Sequence, residues 1–198
     1  MTIEEKINKN YLLWIECLKK YNCFSQIMID ELGDKIKEAS FAITAETGAG
    51  KGTLLNYVLT GLCTIATHIN ECAFGKNKKE SLQHPQLFVN QESLMRVLLL
   101  QHISKCQMFI QVKDDWKIGR GILYDFNPLN DSALKLGEYS AYMCMKYGID
   151  LSLEEYEAMK IIDKKDEKAN NYLTPLCEIV KISNELCSIE ILRRNKKS

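Results

Sequence analysis

At 198 residues the chain is long enough to bury a hydrophobic core as one domain, 1–198, and 46% apolar with 26% charged residues is ordinary globular composition. Lys+Arg and Asp+Glu both count 26, so no overall field recruits an acidic membrane surface, and the balance argues against a nucleic-acid partner. No apolar run approaches the roughly 18 residues of a membrane span, and MTIEEKINKN lacks a signal-peptide core.

Eight cysteines occur without C-x-x-C or Cys/His ligand spacing, which reads as buried reduced thiols in a cytoplasmic protein. Ile3 to Tyr21 is an amphipathic helix, with Ile7, Tyr11, Trp14, Ile15 and Leu18 on one side. Ser25 caps a second helix through Ile29, Leu32 and Ile36 to about Ala39. Ser40 to Thr53, SFAITAETGAGKGT, is a short extended piece and a glycine-rich turn. Leu54 to about Cys72 is a third, apolar helix carrying Asn56, Tyr57, Thr64 and His68. Phe74 to Phe88, with Gly75, Pro85 and three lysines, is a surface connection containing His84.

The next stretch, Asn90 to Phe109, NQESLMRVLLLQHISKCQMF, is the central helix. Asn90 caps its start, Glu92 suits the positive end, and Leu94, Val97, Leu98, Leu99 and Leu100 widen the apolar stripe beyond that of a surface helix. It delivers Gln101, His102 and Lys105 at a buried end, where polar groups need partners. Met108 to Phe126 reads as a hairpin, MFIQV and GILYDF about a polar turn at Lys113-Asp114-Asp115, stopped by Asn127-Pro128. Ser132 to Tyr147 is a fifth helix closed by Gly148, and Ser152 to Glu155 is a capping box opening a sixth. Asp163 to Lys168 is a charged loop, Thr174-Pro175 starts the last helix to about Leu192, and 193–198 is a basic tail. The sum is an all-α bundle of about seven helices with one small β-hairpin.

Four separated segments, in order, resemble the HD-domain superfamily of metal-dependent phosphohydrolases. GTLLNYVL stands where such proteins have G-G-L-L-x-H-S/T-L, and ESLMRVLLLQHISK where they have E-S, apolar residues and L-L-H-D-I/L-x-K. NPLNDSALKLGEYSAYMCMKYGIDLSLEEYEAM follows F-P-L-G-H-G-E-K-S and K-Y-G-I-x-L-x-x-E-E, and PLCEIVKISNELC follows a segment ending I/L-A-D-x-L. The likeness covers about Met28 to Leu192, leaving the amino-terminal helix, 1–27, outside it.

The resemblance implies an HD-like bundle whose metal ligands are lost. Tyr57 stands at the first histidine, Gln101-His102 at the H-D pair, Leu136 at the histidine of G-H-G-E, a residue near Ile162 at the next and Asn184 at the closing aspartate. Lys105, Gly137, Glu138 and Ser140 keep their places. The family's metals polarise a phosphoryl group and deprotonate a water. Tyr, Gln, Leu, Ile and Asn cannot jointly hold a divalent ion, because hard cations want carboxylates and borderline ones want imidazole or thiolate. The expectation is therefore a pseudoenzyme with no catalytic residue, metal or cofactor, whose vestigial site is Tyr57, Gln101, His102, Lys105, Leu136, Glu138 and Asn184. It binds or regulates, with a nucleotide or other phosphate compound, or a protein, as partner. Tyr57, Gln101 and Asn184 either line the former metal cavity or satisfy one another in a filled core, and Lys105 pairs with Glu138 to brace two helices. The alternative is an active phosphohydrolase with a metal site built from His102, Glu138 and Asp131 or Asp163.

The glycine turn is similar to the phosphate loop of nucleoside monophosphate kinases, G-x-x-G-x-G-K-G-T, with Ala45 in place of the first glycine. Gly48, Gly50, Lys51, Gly52 and Thr53 are thus candidate phosphate-binding residues, since loop amides and a helix start cradle anions. A P-loop phosphotransferase also needs a parallel sheet, for which the sequence supplies too few strands. An anion-binding turn on a helical scaffold is the expectation that remains, beside a plain turn that shortens the connection.

Overall fold

The computed structural model describes residues 1–74, 89–130, 133–163 and 173–195. The fold is all-α with one two-stranded antiparallel ribbon. Helix α1 (Ile3–Lys20) opens on a capping box between Thr2 and Glu5 and buries Ile7, Trp14 and Leu18. The Trp14 indole donates to the Leu99 carbonyl at 3.1 Å, pinning α1 to the central helix. Helix α2 (Gln26–Glu38) starts at Ser25, whose hydroxyl accepts from the Met28 amide and donates to the Tyr147 carbonyl.

The third predicted helix divides into three. Helix α3 (Thr53–Asn56) passes into a π-helical segment, Tyr57–Leu62, before α4 (Cys63–Phe74) resumes the α form. Gly61 lies in the π segment so close to Cys187 that a Cβ there would overlap the thiol. The central helix is shorter than the sequence suggests. Helix α5 (Gln91–Leu100) is capped by the Asn90 side chain on the Glu92 amide at 2.9 Å, and Leu94, Val97, Leu98 and Leu100 are fully buried. The chain then turns at Gln101–Ser104 and restarts as α6 (Lys105–Met108). Ser104 anchors that break, its amide donating to the Ser140 hydroxyl at 3.1 Å and its own hydroxyl to the Leu136 carbonyl at 2.9 Å.

Strands β1 (Phe109–Gln111) and β2 (Tyr124–Phe126) pair in the register Phe109 to Phe126 and Gln111 to Tyr124. Where the sequence suggested a plain polar turn, Asp114 caps a short helix, α7 (Asp115–Gly119). An isolated bridge from Thr44 to Ile122 ties the glycine-turn segment to this ribbon.

Helix α8 (Leu136–Lys146) starts four residues later than the predicted Ser132, which is outside the described residues. Gly148, at φ +73°, follows its end, the left-handed position that favours glycine. The Asp163 carboxylate takes the Gly137 and Glu138 amides at 3.0 Å each, capping α8 from the short 3-10 turn Ile161–Asp163. That turn follows α9 (Leu153–Lys160), whose Ser152–Glu155 capping box is formed as expected. Helix α10 (Pro175–Asn195) spans 21 residues, so the first residues assigned to the basic tail continue it. The connection from Gly75 to Phe88 and the charged run after Asp163 fall outside the described residues. Among the described residues no helix is long and apolar enough to cross a membrane.

Candidate functional site

The turn after α5, the π segment and α10 bring four of the predicted site residues together. His102 Nε2 lies 3.0 Å from Asn184 Oδ1. The Asn184 amide nitrogen donates to the Val180 carbonyl at 2.7 Å and to Gln101 Oε1 at 3.3 Å. Those two donations fix the Asn184 amide, so Oδ1 is the acceptor and His102 carries its proton on Nε2. Tyr57 stacks on Phe41 with ring centroids 3.4 Å apart, and both rings meet the imidazole edge-on at about 5.5 Å. Burial first, then the neighbouring Lys105, hold His102 well below its ordinary range, so the ring is neutral. Burial also raises the Tyr57 phenol. Gln101 Nε2 and His102 Nδ1 are buried without a hydrogen-bond partner.

Lys105 is in this region but not in the expected pair. Its ammonium donates to the Phe41 carbonyl at 2.6 Å and sits 3.5 Å from the Phe41 ring centroid. Burial without a carboxylate lowers it to about 7. Glu138 is instead bridged to Lys160 at 3.2 Å and accepts from the Lys135 amide. The bracing pair is therefore corrected, because Glu138 belongs to the first turn of α8 and caps its own helix. Leu136 contributes its carbonyl, to Ser104, and Ile162 is a partly buried apolar contact.

Among the described residues the alternative metal set does not assemble. His102 is taken by Asn184, Glu138 by Lys160, and Asp163 by the α8 amides, while Asp131 is outside the described residues. Among the described residues no three His, Cys, Asp or Glu side chains converge on a point that could hold a metal ion. His68 is engaged elsewhere and His84 is outside the described residues. The seven described cysteines are free thiols; burial pushes Cys63 and Cys106 up to about 12 and raises Cys144 too, which makes them poor nucleophiles.

The glycine turn does not present its amides. Gly48, Ala49, Gly52, Thr53 and Leu54 donate to the carbonyls of Ala45, Thr44, Glu38, Gly50 and Ala39, and Gly50 donates to the Ser40 hydroxyl. Lys51 bridges Glu4 at 3.2 Å and Glu38 at 3.0 Å, and Thr53 Oγ1 lies between the Phe41 amide and the Gly50 carbonyl. Gly52, at φ +72°, packs directly on Ile7. The phosphate-loop expectation is corrected: the turn is a structural joint between α1, α2 and α3. With a single antiparallel ribbon among the described residues, the parallel sheet of a P-loop kinase is missing as well.

A groove of about 730 Å³ runs beside this cluster, between α10 and the π segment. Tyr57, Gly61 and Ile65 line one wall, Leu186, Cys187 and Ile189 the other, and Gly48 and Arg193 stand at one end. Sequence reasoning missed Phe41 and the α10 wall. The missed signal on α10 was Leu186 and Ile189, lining side chains three residues apart on one face and left 44% and 47% exposed.

No family model, no curated protein and no solved structure matches the chain.

Proposed function

We propose that this chain is a non-catalytic, HD-like binding or regulatory module of the cytoplasm, a phosphohydrolase framework whose metal site has become a neutral packed cluster. One observation carries the reading. Tyr57, Gln101, His102 and Asn184, four of the residues that the resemblance assigns to metal-ligand positions, lie together, where Asn184 spends its amide on His102, Gln101 and Val180 and Tyr57 packs against the imidazole. A neutral imidazole, two amides and a phenol offer a divalent ion one good ligand where it needs several. Lys105 adds a nearby amine, held over the Phe41 ring, which is no ligand for a cation while protonated.

Elemental analysis of protein purified without chelator tests it, together with hydrolysis of phosphomonoesters, nucleotides and cyclic dinucleotides. The expected result is no stoichiometric Zn, Fe, Mn, Mg or Ni, and no turnover above background. About one equivalent of metal lost in His102→Ala, or turnover that responds to Gln101→Ala, would overturn the proposal.

A further inference from the structure

We infer that the groove along α10 is a binding site for a small anionic amphiphile, a molecule with one carboxylate-like head and an aliphatic body. The inference rests on the non-catalytic reading above, and it replaces the nucleotide or phosphate ligand with a different chemistry.

Gly61 meets Cys187 and Gly48 meets Ile191, so the two walls run antiparallel, with Arg193 toward the glycine turn and Leu186 toward Ile65. From Thr53 to Ile65 the wall is roughly 15–18 Å long at helical rise, which suits an elongated ligand. At about 730 Å³ the groove lies within the usual range for small-molecule sites, and its lining is more apolar than polar.

The chemistry of the lining decides the class. The body of the ligand meets Ile65, Leu186 and Ile189, all aliphatic. A nucleobase would need an open aromatic face. The two aromatic lining residues, Phe41 and Tyr57, stack on one another, Tyr57 is only 4% exposed and the Lys105 ammonium sits over the Phe41 ring, so among the described residues the groove offers no stacking platform. The polyanionic tail of a nucleotide would need several donors, and the glycine-turn amides beside the groove are already spent. One cation remains for a head group. Arg193 forms no ion pair among the described residues, whereas Glu190, the groove's carboxylate, is engaged. A single guanidinium at the end of an aliphatic trough matches a single carboxylate on an alkyl chain.

The test is an amide chemical-shift titration of the full chain with octanoate, decanoate, decanol, decyltrimethylammonium, AMP and inorganic phosphate, all below micellar concentration. Decanoate is expected to shift residues 57–65 and 186–193. It should bind about tenfold or more tighter than octanoate, since each buried methylene contributes roughly three- to fourfold, and more tightly than decanol or the cation. Arg193→Ala should bring decanoate to the level of decanol. Ile189→Asp, at an exposed position, should weaken both while leaving the spectrum folded. No shift in the groove, or equal binding of decanoate and the cation in the native chain, overturns the proposal. If AMP or phosphate alone occupies the groove, the amphiphile fails while the non-catalytic reading stands. Stoichiometric metal or hydrolysis would instead sink the reading beneath it.

Discussion

Lys105 is the residue at which this fold carries its clearest electrostatic cost. A buried ammonium with one carbonyl and two rings, Phe41 and Phe109, for company is poorly solvated, and burial lowers it to about 7 from an ordinary 10.5. The folded chain therefore binds fewer protons than the unfolded chain between those two values, so stability rises with pH across that window. Below about 7 both states are protonated and the whole cost is present. Linkage puts that cost on the order of 5 kcal/mol at most. Lys105→Met keeps the stem and removes the charge, at the expense of one carbonyl partner for Phe41. Urea denaturation at pH 7 should show the variant more stable by about 1–3 kcal/mol. From pH 7 to 9.5 the native chain should gain stability relative to the variant; the buried thiols Cys63, Cys106 and Cys144, raised by burial, ionise only in the unfolded chain toward the top of that window and cost both proteins alike. A variant less stable at pH 7, with the slope retained, would show that the amine is better paired than its surroundings indicate. This residue was legible in the sequence as a member of the cluster, but its partner was not. Phe41 reaches it across 64 positions, in a stretch that reads only as a short extended piece.

At the scale of elements, caps were easier to read than continuity. Ser25, Asn90 and Ser152 all cap helices through local hydrogen bonds, which is chemistry a window of four residues contains. The two interruptions are tertiary. The central helix stops at Leu100 because Ser104 is claimed by α8, and the third is rewound into a π segment where Gly61 lets Cys187 of α10 approach. Neither partner is near in sequence, so the apolar pattern runs on through both breaks. The start of α8 has the same character. Gly137 was read as a retained motif glycine; in the fold it is a contact point. A Cβ there would collide with the Met159 carbonyl and lie 2.9 Å from the Asp163 carboxylate that caps the helix. Gly137→Ala should therefore cost about 2 kcal/mol or more through overpacking and loss of the cap. Thermal unfolding would check it, and a change below about 0.5 kcal/mol would mean that α9 gives way freely.

For the molecule as a whole, the class of fold follows from periodicity, but the ties that hold its parts together are long-range and polar. Arg96 projects from the central helix and pairs with Glu155 of α9 at 2.9 Å, with side chains 13% and 5% exposed. The same guanidinium donates to the carbonyls of Asn22, after α1, and Asp150, before α9. One side chain thus joins the amino-terminal helix to the central helix and the carboxy-terminal half. The sequence shows an arginine in an apolar helix and a glutamate in a capping box, and nothing in either pattern links them. Removing one member of a desolvated pair leaves the other buried and uncompensated, at a typical cost of 3–5 kcal/mol. Glu155→Ala should therefore destabilise by about that amount, with a further contribution from the Ser152 cap it also serves. Arg96→Met should cost as much, since three carbonyls, those of Tyr21, Asn22 and Asp150, and a carboxylate lose their donor. The double variant should cost clearly less than the sum of the two, because the second substitution removes a charge that the first has stranded. Urea denaturation of the four proteins measures the coupling. If the two costs simply add, Arg96 and Glu155 act separately, and Arg96 holds the end of the amino-terminal helix through the Tyr21 and Asn22 carbonyls without help from the ion pair.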